Sequence, residues 1–401
     1  MSGVEIKLAD LCEVITKGTT PSNIGAEFTD DGIKYIRSEM LTSSKYITED
    51  GFLYISEDTH NKLKRSQLKA GDILFSMAGV YLGKTAILRE CDVPSNTNQA
   101  VALIRVIPEK CNREFVYYYL NLPEVVKSVN SITGQAAQPN INLKQIGNIP
   151  ILLPSREIQD QIVFLVSAYD DLIEKNQKQI KLLEEAAQRL YKEWFVDLRF
   201  PGHETTPITD GIPEGWIAST VGSICDLKKD TVLASKIAAD TPYIGLEHMP
   251  RADFCLSNWG TAEDATSNKF RYAENDIIFG KIRPYFHKVG FTLNNGVVST
   301  DSFVMVAKQG LWGLLLMTVF DKAFVDYTYQ TCKEGAKMPR ADWNQMEKYP
   351  VLVPSDDVRK KFEDYIWTVT RRIKALALQN HALAEARDRL LPKLMNGEIE
   401  V

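Results

Sequence analysis

The heptapeptides IPILLPS at 149–155 and YPVLVPS at 349–355 carry one pattern twice, 200 residues apart in a chain of 401. Pro150 corresponds to Pro350, Pro154 to Pro354 and Ser155 to Ser355. The apolar run between the prolines has strand composition. The serine that follows is a helix N-cap residue, and after Ser155 neither Gly nor Pro occurs until Pro201. A strand-to-helix junction repeated at half the chain length points to an internal duplication.

At the fixed offset of 200 the match runs on: Ile173 with Ile373, Gln179 with Gln379, Leu183 with Leu383, Arg189-Leu190 with Arg389-Leu390. Backwards, Gln145 pairs with Gln345 and Pro139 with Pro339. Earlier segments match at slightly larger offsets, as loops of unequal length require: LADLCEV (8–14) with TVGSICDL (220–227), and AGDILFS (70–76) with AENDIIFG (273–280). The chain therefore reads as two domains, 1–154 and 201–354, each followed by a helical segment, 155–200 and 355–401.

The bulk composition, 44% hydrophobic and 25% charged, is that of an ordinary globular protein. The longest uncharged apolar run, GLWGLLLMTVF at 310–320, is too short to span a bilayer, and MSGVEIKLAD does not have the make-up of a signal peptide. Six scattered cysteines without C-x-x-C suit free thiols and a cytoplasmic location. Residues 1–154 carry 16 Lys+Arg against 17 Asp+Glu, and residues 201–354 carry 15 against 18. That balance runs against a domain binding nucleic acid unaided, which is usually basic.

Along the first helical segment Ile158, Ile162, Leu165, Tyr169, Leu172, Asn176, Gln179, Leu183, Ala186 and Leu190 follow a 4-3-4-3 spacing, a heptad seam with two polar interruptions. The second seam runs Val358, Phe362, Tyr365, Val369, Arg372, Leu376, Gln379, Leu383, Ala386 and Leu390. At 1.5 Å per residue each helix is on the order of 60 Å long. Either each packs on its own domain, or the two pair as a coiled coil, antiparallel if a pseudo-twofold axis relates the copies. In the second case Asn176, Gln179 and Gln379 are the register residues, with Gln179 and Gln379 near the axis. The domains are β-rich: DILFSM, KTAILRE and QAVALIRVI in the first, DIIFGKI, HKVGFTL and FVMVA in the second, each set followed by a helical stretch. The fold class is α+β.

AGVYLGKT at 78–85 satisfies a loose P-loop pattern, but the AILRECDVP that follows is strand-like, whereas a P-loop opens a helix. A nucleotide-binding or nuclease enzyme using this loop is one alternative, and a coiled-coil protein that contacts no DNA is another. No Ser/His/Asp arrangement, metal motif or methyltransferase signature offers a catalytic residue. The polar loops offer something else. Lys17, Thr19, Thr20 and Ser22 surround a Gly-Pro turn, Lys84 closes the Gly-rich loop, and SNTNQ supplies Asn96 and Asn98. TGQAAQPN adds Gln135 and Gln138; KIRPYFHK interleaves Lys281, Arg283 and Lys288 with Tyr285; EGAKMPRADWNQ adds Lys337 and Arg340. Amides and guanidinium groups read base edges, while hydroxyls and ammonium groups hold phosphates.

The order of these features resembles the specificity subunit of a type I restriction-modification enzyme. The carriers are the two P-x-x-x-P-S helix entries, GTTPS at 18–22, AGDILFS…GKTAI at 70–87 and NDIIFGKIRPYFHKV at 275–289, and the resemblance spans essentially the whole chain. It implies two target recognition domains reading the halves of a split double-stranded DNA sequence, with the helices as spacer and as docking surface for two modification (methyltransferase) subunits. It implies no catalysis and no cofactor in this chain. Adenine N6 methylation would use S-adenosylmethionine on the modification subunits, and restriction would use ATP and Mg²⁺ on motor-nuclease subunits. Partner subunits clamping the duplex would also supply phosphate neutralisation that the near-neutral domains lack.

Overall fold

The computed structural model describes residues 3–42, 44–47, 51–132, 139–264, 267–332 and 338–400. The chain forms two units, one of residues 1–173 with 382–401, the other of residues 174–381. Among the described residues no helix is long and apolar enough to cross a membrane.

In the first unit Cys12–Lys17, Val101–Val106, Ile73–Ser76 and Thr85–Ile87 form an antiparallel sheet in that order. Successive residues of a strand face opposite sides. Ile73, Phe75 and Ile104 therefore enter one core with Phe115, Val116 and Tyr118, while Leu74, Val101 and Leu103 enter another with Ile36, Met40 and Leu88. Burial on both faces is why these strands read as continuous apolar runs. A second sheet, Leu53–Ile55, Ile33–Ile36 and Ser95–Thr97, has its last pair parallel. The helical stretch breaks at Pro123 into Arg113–Leu120 and Pro123–Ile132.

The second unit repeats this plan. Cys225–Lys228, Ser302–Ala307, Ile277–Gly280 and Val289–Thr292 take the same order, with Cys255–Leu256 added in parallel at the edge. Helices Trp312–Phe320 and Lys322–Gln330 follow.

The repeated heptapeptides are the closing strands. Pro150–Leu153 pairs antiparallel with Val4–Lys7, and Pro350–Val353 with Ile217–Thr220. Each proline sits at the strand's first position, where a missing N–H costs least. The chain then turns at Pro154-Ser155 into the helix Arg156–Tyr191, and at Pro354-Ser355 into Asp356–Met395.

Both helices are divided between the units, and within each unit their segments run antiparallel. In the first, Ile158, Ile162 and Val166 share a core with Leu390, Leu391, Leu394 and Met395. In the second, Tyr191 meets Phe362 at 6.4 Å between ring centroids, and Asn176 reaches Gln379 and Asn380. These segments also pack on the sheets and helices of their unit, so the two readings of the seam hold together. The strict heptad spacing needs correcting: Leu165 and Leu172 are 41% and 37% exposed, and Tyr365 is 40% exposed. Val166, Ile366 and Ile373 are buried instead. A 3.6-residue helix drifts against a seven-residue repeat, and contact with a domain as well as a helix widens the buried stripe.

The register residues also differ from expectation. Asn176, 5% exposed, donates to Gln379 Oε1 at 3.0 Å and to Asn380 Oδ1 at 2.9 Å. Gln179 is exposed and instead accepts from Arg372 at 3.4 Å. Gln379 thus has Asn176, not Gln179, as its partner.

Two buried ionisable groups lead to tests. In the first unit Asp170 accepts from Tyr118 Oη at 2.6 Å and from the Arg387 guanidinium. The matching positions of the second unit are Thr318, Thr370 and Ala187. Arg387→Ala strands a buried carboxylate and is expected to cost about 3 kcal/mol. Adding Asp170→Thr and Tyr118→Phe, which removes the stranded groups, should recover stability relative to the single variant. Urea unfolding followed by circular dichroism measures this. Tryptophan fluorescence is the internal control, because all six tryptophans lie between Trp194 and Trp367.

In the second unit Glu184 is 2% exposed and accepts from the Cys255 N–H at 2.9 Å. Burial, with the Asp253 charge adding to it, pushes its carboxyl up to about 8. The native state thus holds a proton that the unfolded chain releases near pH 4.5, so stability falls as pH rises from about 5 to 8. Glu184→Gln should remove that slope and stabilise the second unit at pH 8 by a few kcal/mol, on the order of what this shift implies. Tryptophan-detected unfolding across that range checks it; a parallel decline in wild type and variant would refute it.

Candidate nucleic-acid interface

In the first unit the site is built around Gly18. A Cβ there would lie 1.8 Å from the Thr97 carbonyl oxygen, so only glycine allows the loop after Cys12–Lys17 to close on Thr97–Ala100. The Thr19 N–H donates to Thr97 O at 3.2 Å, Tyr35 Oη donates to Thr19 O at 3.0 Å, and the Thr20 hydroxyl donates to Gln99. Met77, Ala78 and Gly79 are tied to Pro139–Ile141: Gly79 N–H donates to Pro139 O and Ile141 N–H to Met77 O, both at 3.0 Å. The result is a cavity of about 490 Å³ lined by Lys17, Gln99, Asn140, Asn142 and Lys144 among others. Two ammonium groups and three amides at one concavity can pair with phosphate oxygens and base edges.

Thr19 and Thr20 help to build this wall, and Asn98 shapes it by accepting the Ala100 N–H at 3.0 Å. Ser22 is exposed on the turn Pro21–Ile24, and Lys84 lies 5.6 Å above the Tyr81 ring; neither lines the cavity. Asn96 is a correction. It is fully buried, and Ser66 donates to its Oδ1 at 2.5 Å while its Nδ2 reaches Leu63 O and His60. Its polar neighbours Ser95 and Thr97 are buried with it, because SNT is a strand paired with Ile33–Ile36 rather than a loop. Gln135, Gln138 and Lys337 lie outside the described residues.

The P-loop pattern is also resolved. AGVYLGKT is a hairpin loop followed by the strand Thr85–Ile87, and Thr85 Oγ1, inside the unit, accepts from Asn121 at 2.6 Å. A nucleotide would find neither a helix N-terminus nor a free hydroxyl there. Among the described residues no group of three His, Cys, Asp or Glu side chains is placed to hold a metal ion.

The second unit uses the same frame with different side chains. Lys281 N–H donates to Asp301 O, Ala341 N–H to Lys281 O, and Arg283 N–H to Pro339 O, all at 2.8 Å. The Lys281 ammonium donates to Thr300 O at 2.7 Å and lies 4.5 Å above Phe303; burial lowers its pKa, opposed by Asp301. Lys288 donates to Leu246 O, and its pKa is lowered by burial and by Arg251. Arg340 is ion-paired with Asp301. Tyr285 is 47% exposed and meets Phe286 and Tyr329 edge-on at 4.9 and 5.2 Å. Lys281, Arg283, Tyr285, Lys288 and Arg340 thus share one loop cluster.

Lys144 and Arg251 escaped the sequence reading. Lys144 sits in the small helix Leu143–Gly147, where the Asn142–Gln145 capping box was the visible signal. Arg251 lies 4.1 Å above the Phe286 ring and carries no local signature.

Residues 1–185 match the sequence pattern of the Type I restriction modification DNA specificity domain. The type I restriction enzyme MjaIX specificity subunit of Methanocaldococcus jannaschii is 24% identical, over 98% of this chain and 93% of that protein. The HindI specificity subunit of Haemophilus influenzae is 22% identical, over 84% of this chain and 88% of that protein. The fold is similar to the crystal structure of a type I restriction-modification S subunit from M. genitalium: TM-score 0.56, 14% identity, 98% of this chain and 96% of that one. With the duplicated fold, these likenesses show a Type I restriction modification DNA specificity domain over residues 1–185 and similarity to specificity subunits along nearly the whole chain.

Proposed function

We propose that each of the two heads, residues 1–154 and 201–354, reads one half of a bipartite double-stranded DNA target. One observation carries the reading: two loop frames with the same hydrogen bonds present different chemistry. Gln99, Ala100 and Asn140 in the first head correspond to Thr300, Asp301 and Arg340 in the second. Like frames with unlike side chains suit readers of two different half-sites. The helices set the spacing of the half-sites, which makes the gap a geometric quantity.

The helices are also the docking surface for two modification subunits. Phe164 is 77% exposed on the central helix, with Leu165 beside it, an apolar face that favours a protein partner. This chain is the non-catalytic reader. The modification subunits bring S-adenosylmethionine for adenine methylation, and restriction subunits bring ATP and Mg²⁺ for cleavage.

The test is methylome sequencing of a host expressing this chain with its methyltransferase partners. A split motif is expected. Exchanging residues 1–150 for those of a relative with another target should change one half and leave the other half and the gap intact. Methylation indifferent to the exchange would overturn the reading.

A further inference from the structure

The hairpin loops that follow Ile73–Ser76 and Ile277–Gly280 superpose in backbone hydrogen bonding. Ser76 N–H donates to Lys84 O and Gly280 N–H to Lys288 O; Gly79 and Arg283 donate to Pro139 and Pro339. Position for position, Gly79 corresponds to Arg283 and Gly83 to His287. The two glycines have φ of 67° and 81°, and Arg283 and His287 both have φ of 52°. The second head thus holds two L residues in the left-handed region, where the first uses glycine. Strain of this kind persists where surrounding structure or function maintains it.

For His287 the structure supplies the reason. Its Nε2 lies 2.7 Å from Phe320 O, closing the C-terminal end of Trp312–Phe320. Arg283 has no such return. Among the described residues its guanidinium makes no hydrogen bond or ion pair; it lies 5.8 Å from the Phe286 ring centre. The Arg251 guanidinium stands 4.1 Å from the same ring and is likewise without an anionic partner among them. The other cations of the cluster are engaged: Lys281 and Lys288 with carbonyl oxygens, Arg340 with Asp301. Two guanidinium groups without an anionic partner among the described residues thus lie against one aromatic ring, beside the exposed Tyr285, a setting suited to an anion that reaches both.

We propose that Arg283 and Arg251 form a clamp for a backbone phosphate of the DNA, present in the second head only, and that the strain at Arg283 is retained for this contact. The inference rests on the DNA-reading function above. The first head, with Gly79 at the matching position, holds its half-site without this contact.

The experiment uses the full chain assembled with its methyltransferase subunits. The probes are a labelled duplex carrying the mapped target and a random-sequence duplex, titrated at several salt concentrations. Arg283→Gly should weaken binding to both roughly three- to tenfold and flatten the slope of log K against log salt by about 1. Its tryptophan-detected unfolding midpoint should not fall, because glycine relaxes the left-handed position. Arg251→Ala should weaken binding in the same uniform way. Unchanged affinity and slope would overturn the clamp. So would a binding loss accompanied by lower stability, which is the mark of a structural role, or a loss confined to one base pair, which is the mark of base reading. A wild-type complex with no preference for the mapped duplex would instead overturn the DNA-reading function itself.

Discussion

Each unit's core is completed by helix from the other half of the sequence. In the first unit Leu390, Leu391, Leu394 and Met395 pack with Ile162, Val166 and Phe115. In the second, Ile180, Leu183, Ala187 and Leu190 pack with Phe362, Ile366 and Trp312. Burying a single leucine contributes about 2 kcal/mol, so several such residues are comparable with the whole net stability of a domain. Removing either helix would therefore open a core and not merely a tether. The closing strands make this arrangement possible. By pairing with Val4–Lys7 and with Ile217–Thr220, strands near the start of each head, Pro150–Leu153 and Pro350–Val353 bring the chain out at a defined point, where Pro-Ser starts a helix.

Buried polar groups give these apolar seams their specificity. Glu363 accepts the N–H groups of Gly313 and Leu314 at 2.8 and 2.9 Å, so the C-terminal helix caps the start of Trp312–Phe320. Gln159 does the corresponding work in the first unit by accepting the Asn112 N–H at 2.9 Å. Tyr118, Asp170 and Arg387 form a network where the second unit has Thr318, Thr370 and Ala187. The two copies have thus kept a common frame while diverging inside the core as well as at the loops. An apolar seam tolerates sliding; a buried amide such as Asn176, bonded to Gln379 and Asn380, does not.

The same division between frame and variation governs the candidate interface. Main-chain hydrogen bonds from Met77 and Gly79 to the 139–141 segment recur at Lys281 and Arg283 with the 339–341 segment. Because the main chain holds the loops, side chains can change without unfolding them. That freedom lets one fold present amides in one head and guanidinium groups with aromatics in the other.

The sequence by itself determined the duplication, the closing strands, the helix starts and three central sheet strands of each head. All of these rest on local signals: apolar runs of strand composition, proline punctuation, serine caps and a repeated order. Of the polar loop residues it singled out, Lys17 and Thr20 meet in one loop cluster, and Lys281, Arg283 and Tyr285 in another. Only the tertiary structure decided that Asn96 is interior, that Val166 and Ile366 rather than Leu165 and Tyr365 face inward, and that Asn176 pairs with Gln379. It alone added Lys144 and Arg251 to their sites. The reason is physical. A polar residue's burial, and a helix residue's exact facing, depend on which distant segment packs against it, and local composition carries no record of that partner.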